Sequence, residues 1–121
     1  MAYEKILILD DSVTIRQQIK HSLSVGQYDI LEGMNGAEGL RLLAENADVR
    51  LIVCDVFMPQ VDGMQFLAQI KDKNLKIPII MLTTEQRTDK IQFARDAGVR
   101  AWLIKPFMPE KLAEIVRKYL D

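Results

Sequence analysis

Cysteine is nearly missing from this sequence: among 121 residues Cys54 carries the sole thiol, which excludes an intramolecular disulfide and agrees with a reducing compartment. Neither sign of charge prevails. Sixteen Lys and Arg face seventeen Asp and Glu, a formal net charge of −1, so broad attraction to nucleic acid or anionic lipid is not expected. No stretch lacking Asp, Glu, Lys and Arg exceeds eight residues, whereas a membrane-spanning helix needs roughly 18 apolar ones. The N-terminal apolar run, residues 6–9, is too brief for the core of a secretory signal. A cytoplasmic location is expected. No repeat, low-complexity segment or charge block interrupts the chain, and residues 1–121 read as one domain.

What is abundant is aliphatic: 49% of the residues are hydrophobic, and they fall in short Ile, Leu and Val runs that alternate with stretches of helical spacing. That alternation predicts a layered α/β domain with a parallel sheet. Strands are expected at residues 5–10, 28–33, 50–55, 77–83 and 101–104, the fourth opened by Pro78. Helices are expected at 12–24, 37–45, 64–73, 87–97 and 109–120. In the first helix Ile15, Ile19 and Leu23 share a face, while Arg16, Gln17, Lys20 and His21 lie off it. Gly26 and Gly98 are placed to end helices, and Pro109 to begin one.

Polar residues collect where strands end: Asp10 and Asp11, Asp55, Thr83, and Lys105. In a parallel sheet these ends share one edge, and ligands of open α/β folds bind outside it where the strand order reverses. If the first and third strands are neighbours there, three carboxylates converge, and two at ~4 Å repel by about 4 kcal/mol at an effective dielectric near 20. Something cationic must sit among them. The candidates are a hard divalent cation, for which magnesium fits better than calcium, and the Lys105 ammonium. A carboxylate held between a metal and a lysine, with a hydroxyl nearby, is arranged to accept a phosphoryl group, and Asp55 on the central strand is the one the others can reach.

Taken singly, each residue has a plainer reading: Asp11 or Ser12 capping a helix, Asp55 ending a strand, Thr83 structural, Lys105 solvated. Cys54 is expected to point away from Asp55 into the core. It is the co-location that favours chemistry.

Taken in order, Asp10-Asp11-Ser12, Asp55 with Met58-Pro59 and Asp62-Gly63, Met81-Leu82-Thr83-Thr84-Glu85 and Lys105-Pro106-Phe107 resemble the successive signatures of response-regulator receiver domains. The resemblance covers essentially the whole chain and is greatest to single-domain chemotaxis regulators. It implies a flavodoxin-like, doubly wound five-stranded parallel sheet of order 2-1-3-4-5 with five helices. It also implies magnesium-dependent acceptance of a phosphoryl group by Asp55 from a histidine kinase or a small phosphodonor. Asp11, Asp55 and the Phe57 backbone carbonyl would be metal ligands, with Asp10 acting largely through water. Lys105, preceding a cis Pro106, would meet the phosphoryl oxygens. Thr83 and Trp102 would switch, and the face built from the fourth helix, fifth strand and fifth helix would signal. Phe57 and Glu85 would tune hydrolysis, with Phe57 bulkier than the polar residue often found two positions after the acceptor. The implied output is contact with a protein, a flagellar motor switch component being favoured, by a monomer that contacts neither nucleic acid nor membrane.

The chain is thus expected to be a switch and not a turnover enzyme. Alternatives are an aspartate-nucleophile phosphatase, which lacks its acid two residues after Asp10 (Ser12) or Asp55 (Phe57), and a flavin or nucleotide carrier, which the acid pair would repel. A receiver-fold scaffold that takes no phosphate is the third.

Overall fold

The computed structural model describes residues 3–56, 58, 61–83 and 91–120, with residues 91–93 described by backbone alone. The chain alternates β1 (Glu4–Leu9), α1 (Val13–Leu23), β2 (Tyr28–Gly33), α2 (Gly36–Glu45), β3 (Val49–Asp55), α3 (Gly63–Asp72), β4 (Ile79–Thr83), α4 (Ile91–Ala97), β5 (Val99–Ile104) and α5 (Pro109–Leu120). All strand pairs are parallel, in the order β2-β1-β3-β4-β5. This is the expected order, and it puts the reversal between β1 and β3.

Because successive side chains of a strand point to opposite faces, the Ile, Leu and Val runs feed two cores at once. Leu7, Leu9, Ile52, Cys54 and Met81 pack with Phe66, Leu67, Ile70 and Ala94 on the side of α3 and α4. Ile6, Ile8, Leu51, Val53 and Leu82 pack with Ile19, Leu112 and Val116 of α1 and α5 on the other. Burial on both faces fixes the register, since a slip of one residue would exchange the two cores.

The helices on the site side begin with short polar caps. Ser12 Oγ accepts from Ile15 N (3.2 Å) and Asn35 Oδ1 from Glu38 N (2.9 Å). At α3 Asp62 and Gln65 cap reciprocally, each side chain accepting from the other's backbone N–H at 2.9 Å. Pro109 is the first residue of α5, where its missing N–H costs nothing. Gly98 closes α4 at φ +114°, a conformation other residues resist.

Some boundaries differ from the sequence reading. The fourth strand starts at Ile79 and not at residue 77: the Pro78 carbonyl still accepts from Ile52 N (3.1 Å), but pairing toward β5 begins with Ile79 N donating to Gly98 O (3.0 Å). The fifth strand starts at Val99 and not at 101, because an exposed Arg100 interrupts the apolar run without interrupting the ladder. The first helix ends at Leu23 with Ser24 as its cap, and Gly26 only closes the following turn by donating to Leu23 O (3.1 Å). The expected helical residues 87–90 lie outside the described residues, as do Phe57, Thr84 and Glu85.

Gly63 links fold to site. Its N–H donates to Val56 O (2.8 Å), and a Cβ there would collide with the Asp55 carbonyl and lie 2.8 Å from Val56 Cα. Backbone cannot yield as a side-chain tip can. Gly63→Ala is therefore expected to destabilise the protein by about 1–3 kcal/mol in urea unfolding, the usual cost of overpacking.

Candidate functional site

The edge formed by the carboxyl ends of the strands gathers the expected residues. Asp10 follows β1 and is 0% exposed; Asp55 ends β3 and Thr83 ends β4, both buried. Lys105 follows β5 with a side chain 14% exposed. Its Nζ lies 2.8 Å from Asp10 Oδ2 and 3.3 Å from Asp55 Oδ1, bridging the two acids across the reversal. The lysine's own N–H donates to Thr83 O (2.8 Å), so its loop is tied to β4. The Lys105-Pro106 bond is cis.

Asp10, Asp11 and Asp55 each offer a carboxylate oxygen within 4.8 Å of the other two. Their roles in the bare site differ. Asp10 is committed: beyond Lys105, its Oδ1 accepts from Ser12 N (2.9 Å). Asp11 is exposed and takes no hydrogen bond or ion pair from the described residues. The set fits a small hard cation, because the donors are all carboxylate oxygens and one acid is left for an ion to take. The Phe57 carbonyl, expected as a further ligand, lies outside the described residues.

Burial pulls the Lys105 pKa down, but the hydrogen bond to Asp10 and the charges of Asp10 and Asp55 together outweigh it and hold the ammonium above the ordinary lysine range. The cation is therefore permanent at neutral pH. Cys54 sits on the opposite face from Asp55, as expected, and burial first, then the Asp55 charge, pushes its thiol well above the usual cysteine value. It is a core residue.

Thr83 shares a sheet face with Met81, and Trp102 pairs with Met81 in register while its half-buried ring packs on the α3 and α4 side. The two side chains expected to switch thus lie diagonally across adjacent strands, within reach of one another. His21 is exposed and far in sequence from these residues.

Two contributors escaped the sequence reading. One is Gly63, present in the Asp62-Gly63 signature but given no part in the site there, whose role needs the β3 end pressed against α3. The other is Arg16, placed off the apolar face with no role assigned, whose side chain is only 12% exposed. Its guanidinium donates to the Asp10 carbonyl (2.7 Å) and to Glu32 Oε1 (3.0 Å). One local signal existed: a cation in the first turn of a helix opposes the helix dipole, so a tertiary partner must favour it.

The fold, the reversal point and the acid–lysine cluster define an open α/β protein with a group of carboxylates that could hold a cation at the strand-end edge. A profile of the response regulator receiver domain family matches residues 6–117. The chain is 39% identical over 113 residues to the chemotaxis protein CheY1 of Helicobacter pylori, covering 91% of each chain. It is 38% identical to the CheY homolog of Campylobacter jejuni, over 91% of this chain and 87% of that one. The crystal structure of chemotaxis protein CheY4 of Vibrio cholerae superposes with a TM-score of 0.87 at 35% identity, over 98% of this chain and all of the other. The chain belongs to the response regulator receiver domain family. No helix among the described residues is long and apolar enough to cross a membrane.

Removing the central cation tests the electrostatic balance. Lys105→Met leaves the buried Asp10 carboxylate uncompensated and is expected to cost about 3–5 kcal/mol without added metal. Since the folded-state pKa of Lys105 is raised, its contribution is complete below the ordinary lysine value and fades as pH climbs through the folded one. The stability gap between parent and variant should therefore stay flat from pH 7 to about 9 and narrow only above about 10.4.

Proposed function

We propose that this chain is a magnesium-dependent phosphoacceptor switch of two-component signalling. The observation that carries this reading is Lys105 held between Asp10 and Asp55, at 2.8 and 3.3 Å, with Asp11 beside them. Asp11 adds a third carboxylate that has no partner among the described residues.

In this reading an Asp55 carboxylate oxygen attacks phosphorus in line. The P–N bond of a phosphohistidine on a histidine kinase breaks, an O–P bond forms, and the leaving imidazole takes its proton from solvent. Magnesium, when bound by Asp11, Asp55 and the Phe57 carbonyl, supplies positive charge against the carboxylates and the phosphoryl oxygens. Lys105 supplies a second fixed cation, already oriented by Asp10 before the donor arrives. Asp10 and the Ser12 N–H hold that orientation. Thr83 then turns its hydroxyl toward the new phosphoryl oxygens, and Trp102 reorients with it. Carrying the population from 1:99 to 99:1 takes about 5.5 kcal/mol, which new bonds from Thr83 and Lys105 to the phosphoryl group would supply. Glu85 and Phe57, by the resemblance to the family, would tune the lifetime of the acyl phosphate, the bulk of Phe57 hindering the attacking water.

The output surface is α4, β5 and α5. The relatives named as chemotaxis proteins support a chemotaxis role for this chain. A cytoplasmic location and a flagellar motor switch component as target complete the proposal.

Intact mass after incubation with a small phosphodonor and magnesium tests the assignment: the parent should gain one phosphoryl group and Asp55→Asn none. Labelling that persists in Asp55→Asn would sink it. Magnesium should also stabilise the parent by about 2.7 kcal/mol at a concentration 100 times its Kd, and Asp11→Ala should abolish most of that gain in thermal melting.

A further inference from the structure

We infer that Arg16 is a positioning residue for this site: by holding the Asp10 carbonyl it fixes the turn that presents Asp11, and so sets the affinity for magnesium. The inference rests on the reading above and goes beyond it, since Arg16 touches neither the acceptor nor the acid oxygens.

All the polar groups of Asp10 are held from different parts of the fold. Its N–H donates to Gly33 O of β2 (3.2 Å), its Oδ1 accepts from Ser12 N, its Oδ2 from Lys105, and its carbonyl from Arg16 Nη1 at 2.7 Å. The last contact bears on the neighbour. The Asp10 carbonyl and the Asp11 N–H belong to one planar peptide unit, so fixing the oxygen fixes the plane from which the Asp11 side chain departs. Among the described residues Asp11 has no hydrogen bond of its own to aim its carboxylate, so the placement of its Cα by that plane is the restraint that acts on it.

Arg16 is itself held. Its Nε donates to Glu32 Oε1 at 3.0 Å, and the other Glu32 oxygen accepts from Lys20 Nζ at 2.9 Å. These contacts hold the Glu32 carboxyl below its usual range, the Lys20 hydrogen bond being the largest influence and the Arg16 bond opposing the effect of burial. Glu32 precedes Gly33, the residue that receives the Asp10 N–H, so β2 anchors both sides of the turn. The guanidinium fork reaches the carbonyl and the carboxylate together; one ammonium on a flexible stem does not reproduce that geometry. Groups that orient metal ligands from behind commonly set metal affinity within a factor of 10–100.

The test is calorimetric titration of the whole chain with magnesium chloride, comparing the parent with Arg16→Met, Arg16→Lys and Glu32→Gln, each verified as folded by circular dichroism. Kd is expected to rise roughly tenfold in Arg16→Met and nearly as much in Arg16→Lys. Glu32→Gln, which loosens the anchor but leaves the Asp10 contact, should give a smaller rise and keeps the test alive if the Arg16 variants fail to fold. Saturating magnesium should return the phosphoacceptance rate of the Arg16 variants to near the parent's. An unchanged Kd despite a lower melting temperature would reduce Arg16 to a structural part and overturn the inference. So would parental affinity in Arg16→Lys, which would make charge alone sufficient, or slow phosphoacceptance that persists at saturating magnesium. A parent that binds magnesium but never modifies Asp55 would remove the proposed function while the affinity comparison still judges Arg16. A parent that binds no magnesium would overturn both.

Discussion

Like charges forced together at the end of a buried sheet are the constraint on which this molecule turns. Asp10, just past β1, and Asp55, at the end of the adjacent β3, have almost no access to water, and their mutual repulsion there is far larger than at the surface. The Lys105 ammonium, in contact with both, makes the arrangement tolerable. Removing a charge from water is costly, and only close contact offsets it. The Asp10 carboxylate accordingly spends one oxygen on the lysine and the other on the Ser12 N–H at the start of α1, where the helix dipole is also favourable to an anion. The acids are stable enough to be held together and poor enough in hydration to welcome a further cation.

That balance depends on rigidity supplied elsewhere. The three central strands, buried on both faces, cannot shift by one residue without exchanging two cores, so the strand ends are delivered to one edge in a fixed register. The connecting turns are then stitched to neighbouring strands: Asp10 to Gly33, Val56 to Leu82, Lys105 to Thr83. Each stitch is a single backbone hydrogen bond. Together they let a lysine fifty residues after Asp55 in sequence arrive beside it.

Much of this was legible in the residue order. Aliphatic runs with turn residues between them marked every strand, because a strand covered on both sides has no polar face to dilute the run. The acids, the hydroxyl and the lysine stood at the ends of those runs. The strand starts were less legible: exposed Arg100 hid the first residues of β5, and Pro78 marked the approach to β4 without being part of it. Arg16 stood only as a residue off the apolar face, because helical periodicity registers only the apolar stripe. A long polar side chain that folds back over its own helix start looks the same in sequence as one that reaches for water.

The sequence by itself determined the layered parallel architecture and the strand end on which each acid, the hydroxyl and the lysine ride, because these follow from local periodicity and chain order. Only the tertiary structure decided which acid is bound to the lysine and which stands open, and that Arg16 and Glu32 brace the turn between them. Those outcomes depend on distances between chain segments remote in sequence, and on which donors reach a buried oxygen first. No local pattern encodes them.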